Sequence, residues 1–266
     1  MTDRQSALAL SFDAESGIAR IVFGRPSVLN AINLQMAGEL LDAVRDLSRQ
    51  EGLRCVVLSG AGKAFMAGGD VASFAGGPEV AERSINALLD RLHPAILALR
   101  ALDAPVLAAV HGVAAGAGLS MALLADIVLA TENTRFLLAY DRIGTVPDCG
   151  GSWFLCHKAG AGRAAELMML SAELSAAQAK EWGIVTATCE AAVFEAETDR
   201  LAKKLAAGPS RAHGRFRQLA DRATGGGLAA HLEAEREAFV AMTRTADFSE
   251  GVSAFMEKRA AAFSGR

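Results

Sequence analysis

Two short segments carry residue types suited to chemistry: Lys63-Ala-Phe-Met-Ala-Gly-Gly-Asp70 and His111-Gly-Val-Ala-Ala-Gly-Ala-Gly118. Each follows an apolar run, rich in β-branched residues, that reads as a buried strand. Each strips bulky side chains from the backbone where a strand gives way to a turn or helix. Such turns expose peptide N–H groups to a ligand, and two of them could aim two donors at one oxygen, as an oxyanion hole does. The plainer alternative for both is a tight turn with no chemical role.

The elements that must position these turns can be read from periodicity. Residues 7–12 and 18–23 alternate apolar and polar across Asp-Ala-Glu-Ser-Gly, which predicts a hairpin. A helix follows with Leu40, Leu41, Val44 and Leu47 on one face, then a short buried strand at 55–58. Residues 71–80 read as a mobile loop over a cleft. Ile85, Leu88, Leu89, Leu92, Ile96 and Leu99 form the stripe of a longer helix. A strand is expected at 126–130, irregular chain at 141–153, and a short helix at 175–183 started by Ser175 and stopped by Gly183. Strands alternate with helices to about residue 190, an α/β layer pattern, and only helices follow. The last two helices carry the stripes Leu228, Leu232, Phe239, Met242 and Phe248, Val252, Phe255, Phe263. Helices that leave a core with an apolar face intact usually cover a neighbour, so a homo-oligomer is expected, the alternative being a fold back onto the same chain. Residues 225–227, all glycine, read as a hinge.

Composition bounds the function. The 266 residues are 52% hydrophobic, ample for a sizeable core, and the formal charge is −3 with Lys and Arg scattered. That argues against a nucleic-acid footprint or an anionic membrane surface. Cys55, Cys149, Cys156 and Cys189 form no C-x-x-C pair and have no metal-ligand spacing with histidine, so reduced thiols, no metal and a cytoplasmic setting are expected. The start reads as no signal peptide. Residues 104–125 lack any charge and are long enough for a membrane helix. Pro105, His111 and three glycines within the run instead suggest a buried strand followed by a buried helix.

Taken together, the segments resemble the crotonase superfamily, the enoyl-CoA hydratase/isomerase family. The resemblance rests on Arg25-Pro-Ser-Val-Leu-Asn-Ala-Ile-Asn33, the two glycine turns, the segment at 174–185, and Asp247-Phe-Ser-Glu-Gly-Val-Ser-Ala-Phe-Met-Glu-Lys-Arg259. Each is weak alone; five in order are strong. The family implies an α/β fold with a ββα spiral core and acyl-CoA site over residues 1–190. It also implies a helical C-terminal region over 191–266 that forms trimers, or hexamers as dimers of trimers. The ligand implied is an acyl-CoA thioester, with coenzyme A arriving as part of the substrate and no separate cofactor. Position by position, the oxyanion donors implied are the N–H groups of Gly69 and Ala117, aided by the positive end of the helix opening near Gly116. Ala31, Ala67, Gly68, Asp70, Val71, Gly116 and Tyr140 are the implied substrate-binding residues.

Family members share the hole and differ in the carboxylates beside it. At the two positions that hold glutamates in hydratases this chain has Ser120 and Tyr140, its only tyrosine. Adding water needs a base and an acid, so ordinary hydration is in doubt. Asp148, in Pro-Asp-Cys-Gly-Gly-Ser-Trp, sits where the isomerase branch carries its catalytic aspartate, and the wording is closest to the phenylacetyl-CoA epoxide isomerases. Its alternative is turn and cap chemistry before Gly-Gly-Ser. Phe65, Met66, Phe74 and Trp153 are candidate apolar walls around it. Arg25, Lys63, Lys258 and Arg259 are candidates for CoA phosphates, each with a plain surface role as the alternative. His111 sits in the second turn; His93, His157, His213 and His231 lack informative spacing. The expected activity is an isomerase with Asp148 as proton shuttle. A hydratase with non-standard groups, and a non-catalytic relative, including an RNA-binding one, stand as alternatives.

Overall fold

A computed structural model describes residues 6–208, 210–222 and 227–261. Strands β1 (Leu8–Asp13) and β2 (Ile18–Phe23) form the expected antiparallel hairpin. Helix α1 (Leu34–Arg49) is started by Asn33, whose side chain accepts the Met36 N–H. Strand β3 (Cys55–Gly60), helix α2 (Pro78–Ala101) and strand β4 (Val106–Val110) follow, then β5 (Val113–Ala115), α3 (Ala117–Leu123), β6 (Ile127–Thr131) and β7 (Arg135–Leu137). After them come α4 (Gly151–Ala159), α5 (Ala161–Met169), β8 (Glu173–Ser175), α6 (Ala176–Glu181) and β9 (Ala187–Cys189). The chain ends in α7 (Phe194–Ala207), α8 (Ser210–Arg222), α9 (Leu228–Met242) and α10 (Ala246–Met256).

The main sheet has the order β1-β2-β3-β4-β6-β9, parallel from β2 onward. Strand β4 is apolar throughout, and β3 and β6 are apolar over residues 55–58 and 127–130, because both faces are covered. Val56, Leu58, Ala108 and Val110 face the larger core with α1 and α2; Cys55, Val57, Leu107 and Ala109 face Ala202 and Ala206 of α7. Since β3 and β4 are parallel neighbours, the two glycine turns leave the same end of the sheet side by side. That placement is the fold's contribution to the site.

Several expectations need correction. The segment at 71–80 is not a free loop: Val71–Phe74 forms a 3₁₀ turn with Phe74 buried, and α2 already starts at Pro78. The irregular stretch is interrupted by a 3₁₀ turn at Asp141–Ile143 and ends where α4 begins at Gly151. A second, three-stranded sheet, β5-β7-β8, has no counterpart in the sequence reading, because three-residue strands show no periodicity. The charge-free run 104–125 becomes β4, β5 and α3, with α3 buried on every side. Among the described residues no helix is long and apolar enough to cross a membrane.

The stripes of α9 and α10 turn mostly inward, Phe255 alone among their described side chains standing exposed, at 57%. Leu228, Leu232, Phe239, Phe248 and Val252 join the chain's own core. The fold back is the alternative the stripes left open, and for these five residues it is the one the chain takes. Positions 225 and 226 of the expected hinge, the Met242 side chain and Phe263 lie outside the described residues.

Candidate active site

A cavity of about 180 Å³ lies against both glycine turns. Ala67, Gly68, Gly69 and Val71 line it from the first, Ala115, Gly116 and Ala117 from the second, and Tyr140 and Asp148 from the segment after β7. Of the residues expected at the site, Ala31 and Asp70 are not in its wall. Arg25 engages both, donating to the Ala31 carbonyl at 2.6 Å and pairing with Asp70 at 2.9 Å. Its guanidinium thus has two protein partners. Arg259 is likewise held by Glu250 and Glu257, whose hydrogen bonds raise its pKa still further.

The first turn is fixed from one side by Asn30, whose buried amide donates to the carbonyls of Ala61, Ala64 and Phe65. On the other side it is stitched to the second turn. Phe65 N–H donates to His111 O, Met66 N–H to Val113 O, and Ala115 N–H to Met66 O, at 2.8 to 3.1 Å. The backbones approach so closely that a Cβ on Gly118 would lie 2.1 Å from the Met66 carbonyl oxygen. Gly68 has φ +106°, a conformation that needs glycine.

The hydrogen-bond tally shows which donors remain. Ala67 N–H goes to Leu29 O, Asp70 N–H to Ile32 O and Gly116 N–H to Leu137 O. Among the described residues, Gly68 and Gly69 N–H have no backbone acceptor. Ala117 is the first residue of α3, so its N–H has none within the helix. Spare donors from both abutting turns, Gly68 and Gly69 on one and Ala117 on the other, border one cavity, an arrangement able to stabilise negative charge on an oxygen placed between them.

Asp148 is buried and is the only carboxylate among the described residues lining the cavity. The Tyr140 hydroxyl donates to its Oδ1 at 2.5 Å, and Ser120 Oγ lies 3.3 Å from that hydroxyl. Ser120 and Tyr140 thus meet each other in space and lead to Asp148. Burial, and then the Asp148 charge, push the Tyr140 phenol well above its ordinary pKa, so it remains a donor at neutral pH. Asp148 sits just before α4, where Cys149 takes φ +54° and Gly150 φ +76°.

The rest of the described wall is apolar: Ile32, Phe74, Leu88, Leu92, Leu137, Ile143, Phe239 and Phe255, with Arg142 as the one cation among the described residues. Of the walls expected from sequence only Phe74 is present. Phe65 packs edge-on to Phe23, Met66 is in the core, and Trp153 stacks on His157. Leu88, Leu92, Phe239 and Phe255 were visible only as stripe residues, which signal burial without naming the neighbour. His111 lies outside the cavity, its Nε2 3.0 Å from Gly62 O. No cluster of three or more His, Cys, Asp or Glu among the described residues could hold a metal ion.

A family model described as enoyl-CoA hydratase/isomerase matches residues 13–266. This chain belongs to the enoyl-CoA hydratase/isomerase family. It is 36% identical to 1,2-epoxyphenylacetyl-CoA isomerase of Escherichia coli K12, over 95% of this chain and 97% of that one. It is 31% identical to 2,3-dehydroadipyl-CoA hydratase of the same organism, over 92% and 94%. A solved enoyl-CoA hydratase of Mycobacterium avium subsp. paratuberculosis K-10 superposes with a TM-score of 0.87, at 31% identity, over 97% of this chain and 98% of that one. The fold is that of the crotonase superfamily, and an acyl-CoA thioester is the substrate class of the family.

Proposed function

We propose that this protein is an acyl-CoA isomerase that shifts a double bond, or rearranges a ring-derived enoyl or epoxy thioester, with Asp148 as its proton shuttle. One observation carries the reading: Asp148 is the sole carboxylate among the described cavity residues, with the Tyr140 hydroxyl donating to it and Ser120 beside that hydroxyl. The family resemblance, which sets Ser120 and Tyr140 at the positions of the hydratase glutamates, supports the same reading. For a 3-enoyl thioester, the Asp148 carboxylate takes a proton from C2. The C–H electron pair moves into the thioester, whose oxygen becomes an enolate held by the Gly69 and Ala117 N–H groups. One such donor is worth about 3 kcal/mol in the transition state. The enolate collapses, C4 takes the proton from Asp148, and the double bond ends between C2 and C3. Atoms and charge balance, so neither metal nor redox cofactor is called for, and coenzyme A enters as part of the substrate.

The name of the Escherichia coli epoxide isomerase supports a ring-derived substrate; that of the dehydroadipyl-CoA hydratase supports the hydratase alternative. A panel of 3-enoyl-CoA and crotonyl-CoA substrates on wild type and Asp148→Asn separates them. The expected outcome is 3-enoyl-CoA turnover that falls about 10²- to 10⁴-fold in the variant. Unchanged turnover overturns the mechanism, and crotonyl-CoA hydration as fast as isomerisation favours the hydratase. On the family resemblance we further propose a cytoplasmic homotrimer, or a dimer of trimers. Light scattering checks the assembly: a monomer or dimer in solution rejects it.

A further inference from the structure

The cavity is small for a fatty chain. An apolar cavity of roughly 150 Å³ holds one benzene ring, so about 180 Å³ holds a six-membered ring or a chain of about six carbons. One wall residue is shared with a second space. The Phe74 side also borders a groove of about 490 Å³ between residues 74–81 and α10, lined by Phe248, Val252 and Met256. Phe74 stands edge-on to Phe239 at 6.3 Å, and Phe239 edge-on to Phe248 at 6.4 Å, so three rings lie between the two spaces. All three belong to the core; Phe239 and Phe248 are carried by helices α9 and α10. Phe74 hangs from a single 3₁₀ turn, and it alone of the three lines both spaces.

We propose that Phe74 sets the acyl length: its ring divides the reaction cavity from the groove under α10 and restricts the substrates to thioesters of about six acyl carbons or one ring. This rests on the acyl-CoA reading of the site and not on the proton step. Aromatic edge contacts favour the closed arrangement, and a longer chain would have to break them before it gained any new apolar contact.

Calorimetric titration with hexanoyl-CoA and dodecanoyl-CoA tests this. Both are saturated, so binding is read without turnover. Wild type is expected to bind hexanoyl-CoA about tenfold or more tighter than dodecanoyl-CoA. Phe74→Ala should join the spaces and shift the ratio of dodecanoyl-CoA to hexanoyl-CoA affinity about tenfold or more toward the longer chain, whatever contact the shorter one loses. Phe74→Leu, which keeps more of the packing, should shift the same ratio in the same direction if the alanine variant does not fold. Equal wild-type affinities, or variants that alter both ligands alike, overturn the proposal. Failure of both thioesters to bind wild type overturns it together with the acyl-CoA reading. An Asp148→Asn variant that still turns over, with the length preference intact, sinks only the proton mechanism.

Discussion

Tyr140 illustrates what a single side chain contributes here. Its phenol is sealed from water and hydrogen-bonded to Asp148, and burial followed by the Asp148 charge holds its pKa well above the ordinary 10.0. Its contribution to stability is fully present below pH 10.0. As pH rises past that value the unfolded chain loses the phenolic proton while the folded chain keeps it, so stability falls until the folded pKa is passed. Cys55, raised to about 12 by burial, adds a loss of the same sign, so the comparison must be with wild type. Tyr140→Phe should flatten the alkaline fall in urea-melt stability between about pH 9 and 11. The same variant should lower kcat about 10- to 100-fold, because the carboxylate loses a donor that orients it. A wild-type alkaline profile in the variant would show that the phenol is not held as described. That Asp148 is the cavity's carboxylate was legible in the chain, because family position marks it. The Ser120–Tyr140–Asp148 contact was not, since it joins α3 to the irregular segment after β7.

At the scale of elements, the site depends on two turns held in register. Gly118 does this by absence: any Cβ there meets the Met66 carbonyl oxygen at 2.1 Å, a backbone atom that cannot swing aside. Gly118→Ala should push α3 away from the first turn and move the Ala117 donor. The expected cost is about 1–3 kcal/mol in stability and about 100-fold in kcat, read by thermal melts and steady-state kinetics. A variant that melts earlier yet turns over normally would show that the donor spacing is not critical. The long elements were legible because their apolar periodicity runs for many residues: α1, α2, β3, β4 and the hairpin stand close to where it puts them. The 3₁₀ turn at Val71–Phe74 was not, since burial of one phenylalanine in four residues leaves no period to read.

At the scale of the molecule, α8 is tied to the sheet by a buried ion-pair network. Arg217, 2% exposed, pairs with Asp126 at 2.7 Å and donates to the carbonyls of Arg100 and Ala104. Arg100 bridges Asp126 and Asp221. Removing Arg217 strands carbonyls and part of the Asp126 charge inside the protein. Arg217→Ala should cost about 3 kcal/mol, since Asp126 keeps Arg100. None of these residues lines the reaction cavity. Turnover per folded molecule should therefore be unchanged, and denaturant melts with active-site titration check both statements. A variant as stable as wild type would mean the network is balanced by its desolvation cost.

By itself the sequence determined the layer class, the order of the long elements, the two glycine turns and the identity of Ser120, Tyr140 and Asp148. All of these are local: they depend on periodicity, on backbone freedom at glycine, or on residue identity at a position. Tertiary structure alone decided what faces what. It committed Arg25 to Asp70, turned the α9 and α10 stripes onto the chain's own core, and brought Phe74 and Phe239 together at the edge of the cavity. An apolar stripe states that a surface must leave water, because burial is rewarded whatever the partner. Which surface it meets depends on the packing of the whole chain, and that packing made the C-terminal helices part of the site's wall.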